Sequence, residues 1–216
     1  MRLALALALA AAPLAAQTVE ARLAGRVPTA AVPLVDSLVA RAIAESLPSE
    51  PLVQKALEGG AKGMPVDRLV NGVRRSLVQL RDARAILSRA APDRAGADGD
   101  VAAVSAALAR GLSPPVIGRL LAALPAEPPG PVLHAAADLA GHGFPPDSAA
   151  DLLVTAAGSG LRGVRLLDVA AAASQELQRG RTRAEALARV RSILPNVPEA
   201  SRAHPRGVTR RTGQGS

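Results

Sequence analysis

The sequence contains no cysteine, tryptophan or tyrosine, and Phe144 is the only phenylalanine among its 216 residues. The absence of cysteine excludes disulfide scaffolds, thiolate metal sites and cysteine nucleophiles. The near absence of aromatic rings leaves no surface on which bases or sugars stack, so we expect no nucleic-acid partner of that kind. Hydrophobic residues still make up 49% of the chain, and the core must therefore consist of Ala, Leu, Val and Ile side chains.

The first 16 residues have the pattern of a secretory signal peptide. Arg2 precedes an apolar run over residues 3–12, and small residues lead up to an expected cleavage point after Ala16. The run is shorter than the roughly 20 residues that span a bilayer, and an uncleaved anchor is the alternative. We therefore expect an exported protein, located in the periplasm or outside the cell, whose mature chain has no membrane span.

Part of the positive charge of the chain lies at its end. Residues 195–216 are rich in Pro, Gly, Ser and Arg without apolar periodicity, which predicts a disordered basic tail. Such a tail either keeps the protein soluble or contacts a polyanion through salt-sensitive ion pairs. Its candidate contact residues are its four arginines: Arg202, Arg206, Arg210 and Arg211.

Between these ends, apolar residues recur every three or four positions, which predicts an all-α fold without a sheet. We expect a loosely ordered lead-in over 17–33, helical hairpins over 34–90, a linker over 91–99 and further hairpins over 100–194. The hairpins are expected to form one continuous domain of antiparallel pairs. Either a short α-solenoid or an irregular helical bundle fits this pattern.

A short turn pattern occurs four times: a basic residue, a glycine and, two residues later, Pro, Ser or Thr, at 62–65, 110–113, 142–145 and 179–182. A cation favours the negative end of a helix dipole, glycine adopts the left-handed conformation beyond the helix, and Pro or a hydroxyl residue starts the next helix. Each copy predicts a hairpin tip. Ten residues after each glycine stands an aliphatic residue, which keeps the second helix in register: Val73, Leu121, Leu153 and Val190.

The stretch 47–63, together with the long helix predicted after it, resembles a pattern in uncharacterised secreted bacterial proteins rich in Ala and Arg. These proteins carry helix-hairpin repeats. The resemblance covers about a fifth of the chain and implies a class of exported helical protein. It implies no activity and no site.

His134, Asp138 and His142 are spaced four residues apart and would share one face of a helix. Two imidazoles and a carboxylate can bind zinc and leave a position open for water. His142 also precedes Gly143, in the turn position that is Lys or Arg in the other three tips, where a cation caps the helix. We expect no metal and no cofactor, with these three residues as the candidate metal ligands.

Lys55, Glu58 and Lys62 form a ladder in which the only two lysines of the chain bracket one glutamate. Residues three and four positions apart are neighbours on a helix surface. The ladder is therefore either a solvated face or a patch that recognises a partner.

Two further patterns resemble catalytic or cofactor sites. Asp147 and Asp151 could form a carboxylate pair for acid–base chemistry, but acidic residues after two prolines also stabilise the start of a helix. The segment 158–163 matches the GxGxxG pattern of dinucleotide sites, which requires a preceding strand where this chain has a helical pattern. We expect a helix start and a loop here, and hence no catalytic residues.

These observations predict a non-enzymatic, exported helical-repeat module that binds another protein or a peptide of the cell envelope. The alternative is an envelope protein that binds a polyanion through its basic tail. An enzyme with an unrecognised site is a third possibility.

Overall fold

The structure, a computed structural model, describes residues 18–194. The expected signal peptide and the basic tail from 195 onward lie outside the described residues. Within 18–194 the chain forms ten α-helices and three short 3-10 helices, with no strand, so the predicted all-α class is confirmed. No helix in this range is both long and apolar enough to cross a bilayer.

The α-helices follow the predicted periodicity closely, and α4 is the 25-residue helix that the strongest pattern predicted. The 3-10 helices lie at Thr29–Ala31, Pro92–Arg94 and Gly163–Arg165. The α-helices are α1 Val19–Leu23, α2 Val32–Ala44, α3 Glu50–Ala61, α4 Val66–Ala90, α5 Asp98–Ala109, α6 Pro114–Ala123, α7 Pro129–Gly141, α8 Pro146–Gly158, α9 Leu166–Gln178 and α10 Arg183–Ile193.

The chain divides into two compact units, and the division lies between Gly118 and Arg119, inside α6. This differs from the expected linker at 91–99, which belongs to the first unit. There the 3-10 helix Pro92–Arg94 and the start of α5 connect α4 to α5, and the two helices pack together. The Pro and Gly residues of 91–99 therefore belong to a connection on the surface of the first unit.

The structure also differs from the expectation of a loosely ordered lead-in over 17–33. Helix α1 and the following 3-10 helix occupy much of this segment, and Leu23, Val27 and Ala31 are buried in the first unit. The guanidinium of Arg22 donates two hydrogen bonds of 2.7 Å to the carboxylate of Glu50, which ties α1 to α3. The lead-in is therefore packed against the hairpin that follows it.

Helix α4 is central to the first unit, because α2, α3 and α5 all pack against it. Its buried residues recur with the helical period and include Leu69, Val73, Leu77 and Leu80. On its polar side, Arg81 donates to the carboxylate of Glu45 at the end of α2 over 2.6 and 2.7 Å. Apolar packing and ion pairs therefore both attach neighbouring helices to α4.

In the second unit, α7 packs against α8 and α9, and α10 packs against α8 and α9. Consecutive alanines at 135, 136 and 137 are all buried in α7, which shows that this helix has close neighbours on more than one face. Such a helix needs small side chains, since bulky ones would hold the neighbouring helices apart.

The four predicted tips share one turn geometry. At the first tip, the Gly63 N–H donates to the Gly60 carbonyl and the Met64 N–H donates to the Gly59 carbonyl, both over 2.9 Å. The tip glycine has a φ between +61° and +91° in all four copies. This is the Schellman motif, which satisfies two carbonyls at a helix end. The same pair of bonds closes the turns at Gly111, Gly143 and Gly180.

Two more turns have this hydrogen-bond pattern, centred on Gly160 and on Ser46. Ser46 is the one non-glycine residue with positive φ in the described chain, at +52°. The guanidinium of Arg84 donates to the carbonyls of Glu45 and Ser46. This side chain of α4 therefore helps to hold the end of α2 in a conformation that serine adopts rarely.

Substituting Gly60 by alanine should destabilise the first unit. A Cβ at this position would lie 2.0 Å from the Arg26 carbonyl oxygen and 2.9 Å from Val27 Cγ1, so the lead-in backbone would have to move. Overpacking of this kind costs about 1–3 kcal/mol. The matched control is Gly72→Ala in α4, where the new Cβ would meet only Lys55 Cε at 4.0 Å.

The control should gain about 0.5–1 kcal/mol from better helix propensity. Urea unfolding followed by circular dichroism measures both free energies of unfolding. If Gly60→Ala were as stable as Gly72→Ala, that result would contradict the close contact between the lead-in and α3 described above.

The second unit contains a buried carboxylate, Glu127, which is only 6% exposed. It accepts a 2.7 Å hydrogen bond from the Gly163 N–H and a 3.1 Å bond from Arg162. We expect Glu127→Ala to lower the free energy of unfolding by about 1–3 kcal/mol, because the Gly163 N–H loses its acceptor. Glu127→Gln keeps an oxygen acceptor and should lose clearly less in the same urea titration. Equal stability of both variants and the wild type would contradict this role.

Candidate functional site

A concave surface that combines several charged groups lies between α3 and the first half of α4. We call it the basic groove and define it by Lys55 and Glu58 of α3, Lys62 directly after α3, and Arg68 and Arg75 of α4. These side chains line a cavity of about 280 Å³. A second cavity of about 280 Å³ adjoins Arg68 and Arg75 on α4. The groove carries four cations and one anion, so it has a net positive charge.

Two buried glycines form the floor of the basic groove, Gly59 on α3 and Gly72 on α4. A Cβ on Gly59 would lie 3.0 Å from Leu69 Cγ, so the glycine lets α4 approach α3 closely. A Cβ on Gly72 would reach the Lys55 side chain at 4.0 Å. The groove therefore exists because small residues line its floor while long charged side chains form its walls.

The α3 wall is the ladder predicted from the sequence. The carboxylate of Glu58 accepts hydrogen bonds from Lys62 over 2.5 Å and from Lys55 over 3.0 Å. These bonds, from Lys62 first and then Lys55, lower the pKa of Glu58 from 4.5 to about 2. All three side chains are 45–63% exposed, so solvent screens the pairs and their effect on stability is small.

The α4 wall consists of Arg68 and Arg75, seven residues apart on the exposed side of the helix. Within residues 18–194 neither guanidinium has a hydrogen bond or an ion pair to a carboxylate. Arg74 differs, since it donates to the Asn71 amide oxygen over 2.8 Å. The two groove arginines therefore present their full donor sets to whatever enters the groove.

The candidate metal ligands are only partly brought together. His134 Nε2 lies 3.3 Å from the Asp138 carboxylate, but His142 Nδ1 lies 2.8 Å from the backbone carbonyl of Asp138. In the tautomer with a proton on Nδ1, this ring donates to the end of α7, as a capping side chain does. Within 18–194 no three His, Asp or Glu side chains are grouped as metal ligands.

The two candidate carboxylates lie beside an arginine side chain. Arg119 lies 2.9 Å from Asp147 and 4.0 Å from Asp151, and both carboxylates are more than 60% exposed. The segment 158–163 follows α8 and forms a turn centred on Gly160, not the strand-to-helix loop that a dinucleotide requires. The two aspartates therefore belong to the start of a helix, and the segment 158–163 belongs to a connection between helices, as the sequence predicted.

The buried carboxylate of Glu176 also belongs to a hairpin tip. Burial raises the pKa of Glu176, but the guanidinium groups of Arg179 and Arg181 lower it further, and the net shift is downward. Arg179 and Arg181 flank the tip glycine, so the Glu176 charge is neutralised where α9 turns into α10. We assign these three side chains to the structure of the tip.

Sequence patterns did not reveal the α4 wall. Arg68 and Arg75 are part of a long amphipathic helix with several other arginines, and nothing local distinguishes them. Their spacing of seven residues places them on one face, but only the packing of α3 against α4 brings that face opposite Lys55 and Lys62. The candidate tail residues Arg202, Arg206, Arg210 and Arg211 lie outside the described residues.

No protein-family model matches the chain, and no curated protein or solved structure matches it either. Function therefore has to be inferred from the contacts of the chain's own residues.

Replacing Lys62 should raise the pKa of Glu58, because the Lys62 hydrogen bond is the largest cause of its depression. We expect the Glu58 carboxyl carbon, followed by NMR, to titrate at about 2 in the wild type and closer to 4.5 in Lys62→Gln. A depressed pKa means that the pair stabilises the fold above pH 4.5 and that this contribution is lost as the pH falls towards 2. Lys55→Gln is the control and should produce a smaller rise. An unchanged midpoint in Lys62→Gln would contradict the ladder.

Proposed function

We propose that this chain is an exported, non-catalytic interaction module that binds an acidic segment of another protein in the basic groove. The observation that carries the proposal is the pair of arginines, Arg68 and Arg75, that face the only two lysines of the chain across a cavity. Four cations around one concave surface attract an anionic partner and repel a cationic one.

Arginine suits this role because its planar guanidinium binds a carboxylate through two parallel hydrogen bonds. Arg68 and Arg75 have no acidic partner within the described residues, so binding a carboxylate there breaks no existing ion pair. Lys55 and Lys62 already contact Glu58, and they add positive potential to the groove without losing that contact. The arginines therefore supply the specific contacts, and the lysines supply long-range attraction.

A binding role, in preference to a catalytic one, is supported by what the candidate catalytic groups contact. Asp147 pairs with Arg119, and His142 lies against the end of its own helix. Export is supported by the sequence pattern over residues 1–16, which lie outside the described residues. Together these features favour a partner in the periplasm or outside the cell.

Alanine substitution of both groove arginines should weaken the binding of an acidic peptide to the full chain. With each exposed charge pair contributing up to about 1 kcal/mol, we expect the Arg68→Ala/Arg75→Ala double variant to bind roughly tenfold more weakly. The probe is a fluorescein-labelled peptide of consecutive Glu residues, and fluorescence anisotropy at low ionic strength measures its affinity. Raising the salt concentration should weaken the wild type towards the variant.

The matched control is the Arg189→Ala/Arg191→Ala double variant. These arginines are also exposed, on α10, and their removal lowers the net charge by the same amount. If this control weakens peptide binding as much as the groove variant, the attraction is non-specific and the proposal is wrong.

A variant with Arg202, Arg206, Arg210 and Arg211 replaced by alanine tests the alternative of a polyanion-binding tail. Loss of peptide binding in this variant, with full binding in the groove variant, would favour the tail and contradict the groove.

A further inference from the structure

We infer that the basic groove binds an extended peptide segment carrying two carboxylate side chains three residues apart, one carboxylate on Arg68 and the other on Arg75. This inference rests on the proposed function and specifies the partner of the same site. It follows from the spacing of the arginines, the size of the groove and the polar groups between them.

The spacing of the arginines selects the spacing of the carboxylates. Arg68 and Arg75 are seven residues apart on α4, which corresponds to about 10.5 Å along the helix axis. An extended segment in the polyproline-II conformation advances about 3.1 Å per residue with three residues per turn, so side chains three residues apart lie on the same side, about 9 Å from each other. Side chains one or two residues apart point to different sides of such a segment and cannot both face α4.

The size of the groove favours an extended chain over a helical one. A helical partner with acidic residues seven apart would match the same distance, but a helix with side chains is about 10–12 Å wide. Each of the two cavities beside the arginines has a volume of about 280 Å³. Two turns of helix would not fit within either volume, whereas a single extended segment of a few residues can enter.

The groups between the two arginines fit the backbone of such a segment. Gly72 has no side chain and lies on the floor of the groove beneath the flexible Lys55 side chain, so a peptide backbone can approach α4 there when that side chain turns aside. Asn71 accepts from Arg74 through its amide oxygen, which leaves its amide N–H groups available to donate to a peptide carbonyl. The segment between the two acidic residues should therefore be small, as large side chains would meet the floor.

Three labelled peptides of equal length and composition test the inference with the full chain. They contain Glu-Ala-Ala-Glu, Glu-Glu-Ala-Ala or Glu-Ala-Glu-Ala within the same Gly and Ser flanks, and anisotropy gives their affinities. We expect the first peptide to bind about fivefold more tightly than either of the other two, because only there do both carboxylates contact an arginine. Equal affinities would overturn the inferred spacing of the two carboxylates while leaving the proposed function intact. No binding of any peptide would contradict the proposed function itself.

Two variants show whether the preference originates in the groove. In Arg68→Lys/Arg75→Lys the charge is kept but the two-bond contact to a carboxylate is lost, so the preference should fall towards equality. In Gly72→Leu the floor is filled, so all three peptides should bind weakly; circular dichroism and the melting temperature confirm that the variant is folded. A preference that survives in both folded variants would overturn the inference.

An anionic membrane surface is the competing occupant of a basic groove. Vesicles of phosphatidylcholine in which about one lipid in three is phosphatidylglycerol provide that test by co-sedimentation. We expect no difference between the wild type and Arg68→Ala/Arg75→Ala in vesicle binding. If the groove variant alone loses vesicle binding, the occupant is a lipid surface and the inference is wrong.

Discussion

The backbone turn at the ends of the helices is the constraint on which the rest of the structure depends. A residue in the left-handed conformation closes two hydrogen bonds to the preceding helix, so the last carbonyls are satisfied without side chains. The residue after it is buried in four of the six such turns: Leu47, Leu112, Phe144 and Leu161. The turn therefore both ends one helix and anchors the start of the next in the core.

Small residues then determine how closely the helices pack. Gly60 allows the lead-in to cross α3, and Gly59 allows α4 to lie against the same helix. With few bulky side chains available, the polar surfaces of α3 and α4 are brought near each other. The basic groove is thus a product of the same close packing that compensates for the missing aromatic residues.

The local features of the fold could be predicted from the sequence, because turns, caps and helical periods depend on residues close together in the chain. The four glycine turns and the burial of Val73, Leu121, Leu153 and Val190 are confirmed examples. Helix α1 was missed because five residues are too few to show a period. Pro and Gly at 91–99 indicated a linker, whereas the units divide inside α6, where no such residue pattern marks the boundary.

The candidate site could likewise be predicted from the sequence only in its local part. The Lys55–Glu58–Lys62 ladder was visible as a spacing on one helix, and its ion pairs are present in the structure. Its relation to Arg68 and Arg75 depends on how two helices pack, which no spacing along one helix reveals.

Burial of Phe144 has a separate consequence. As the only phenylalanine in a chain without Tyr or Trp, and 1% exposed in the second unit, it gives near-ultraviolet dichroism and phenyl proton resonances that report the packing of that unit alone.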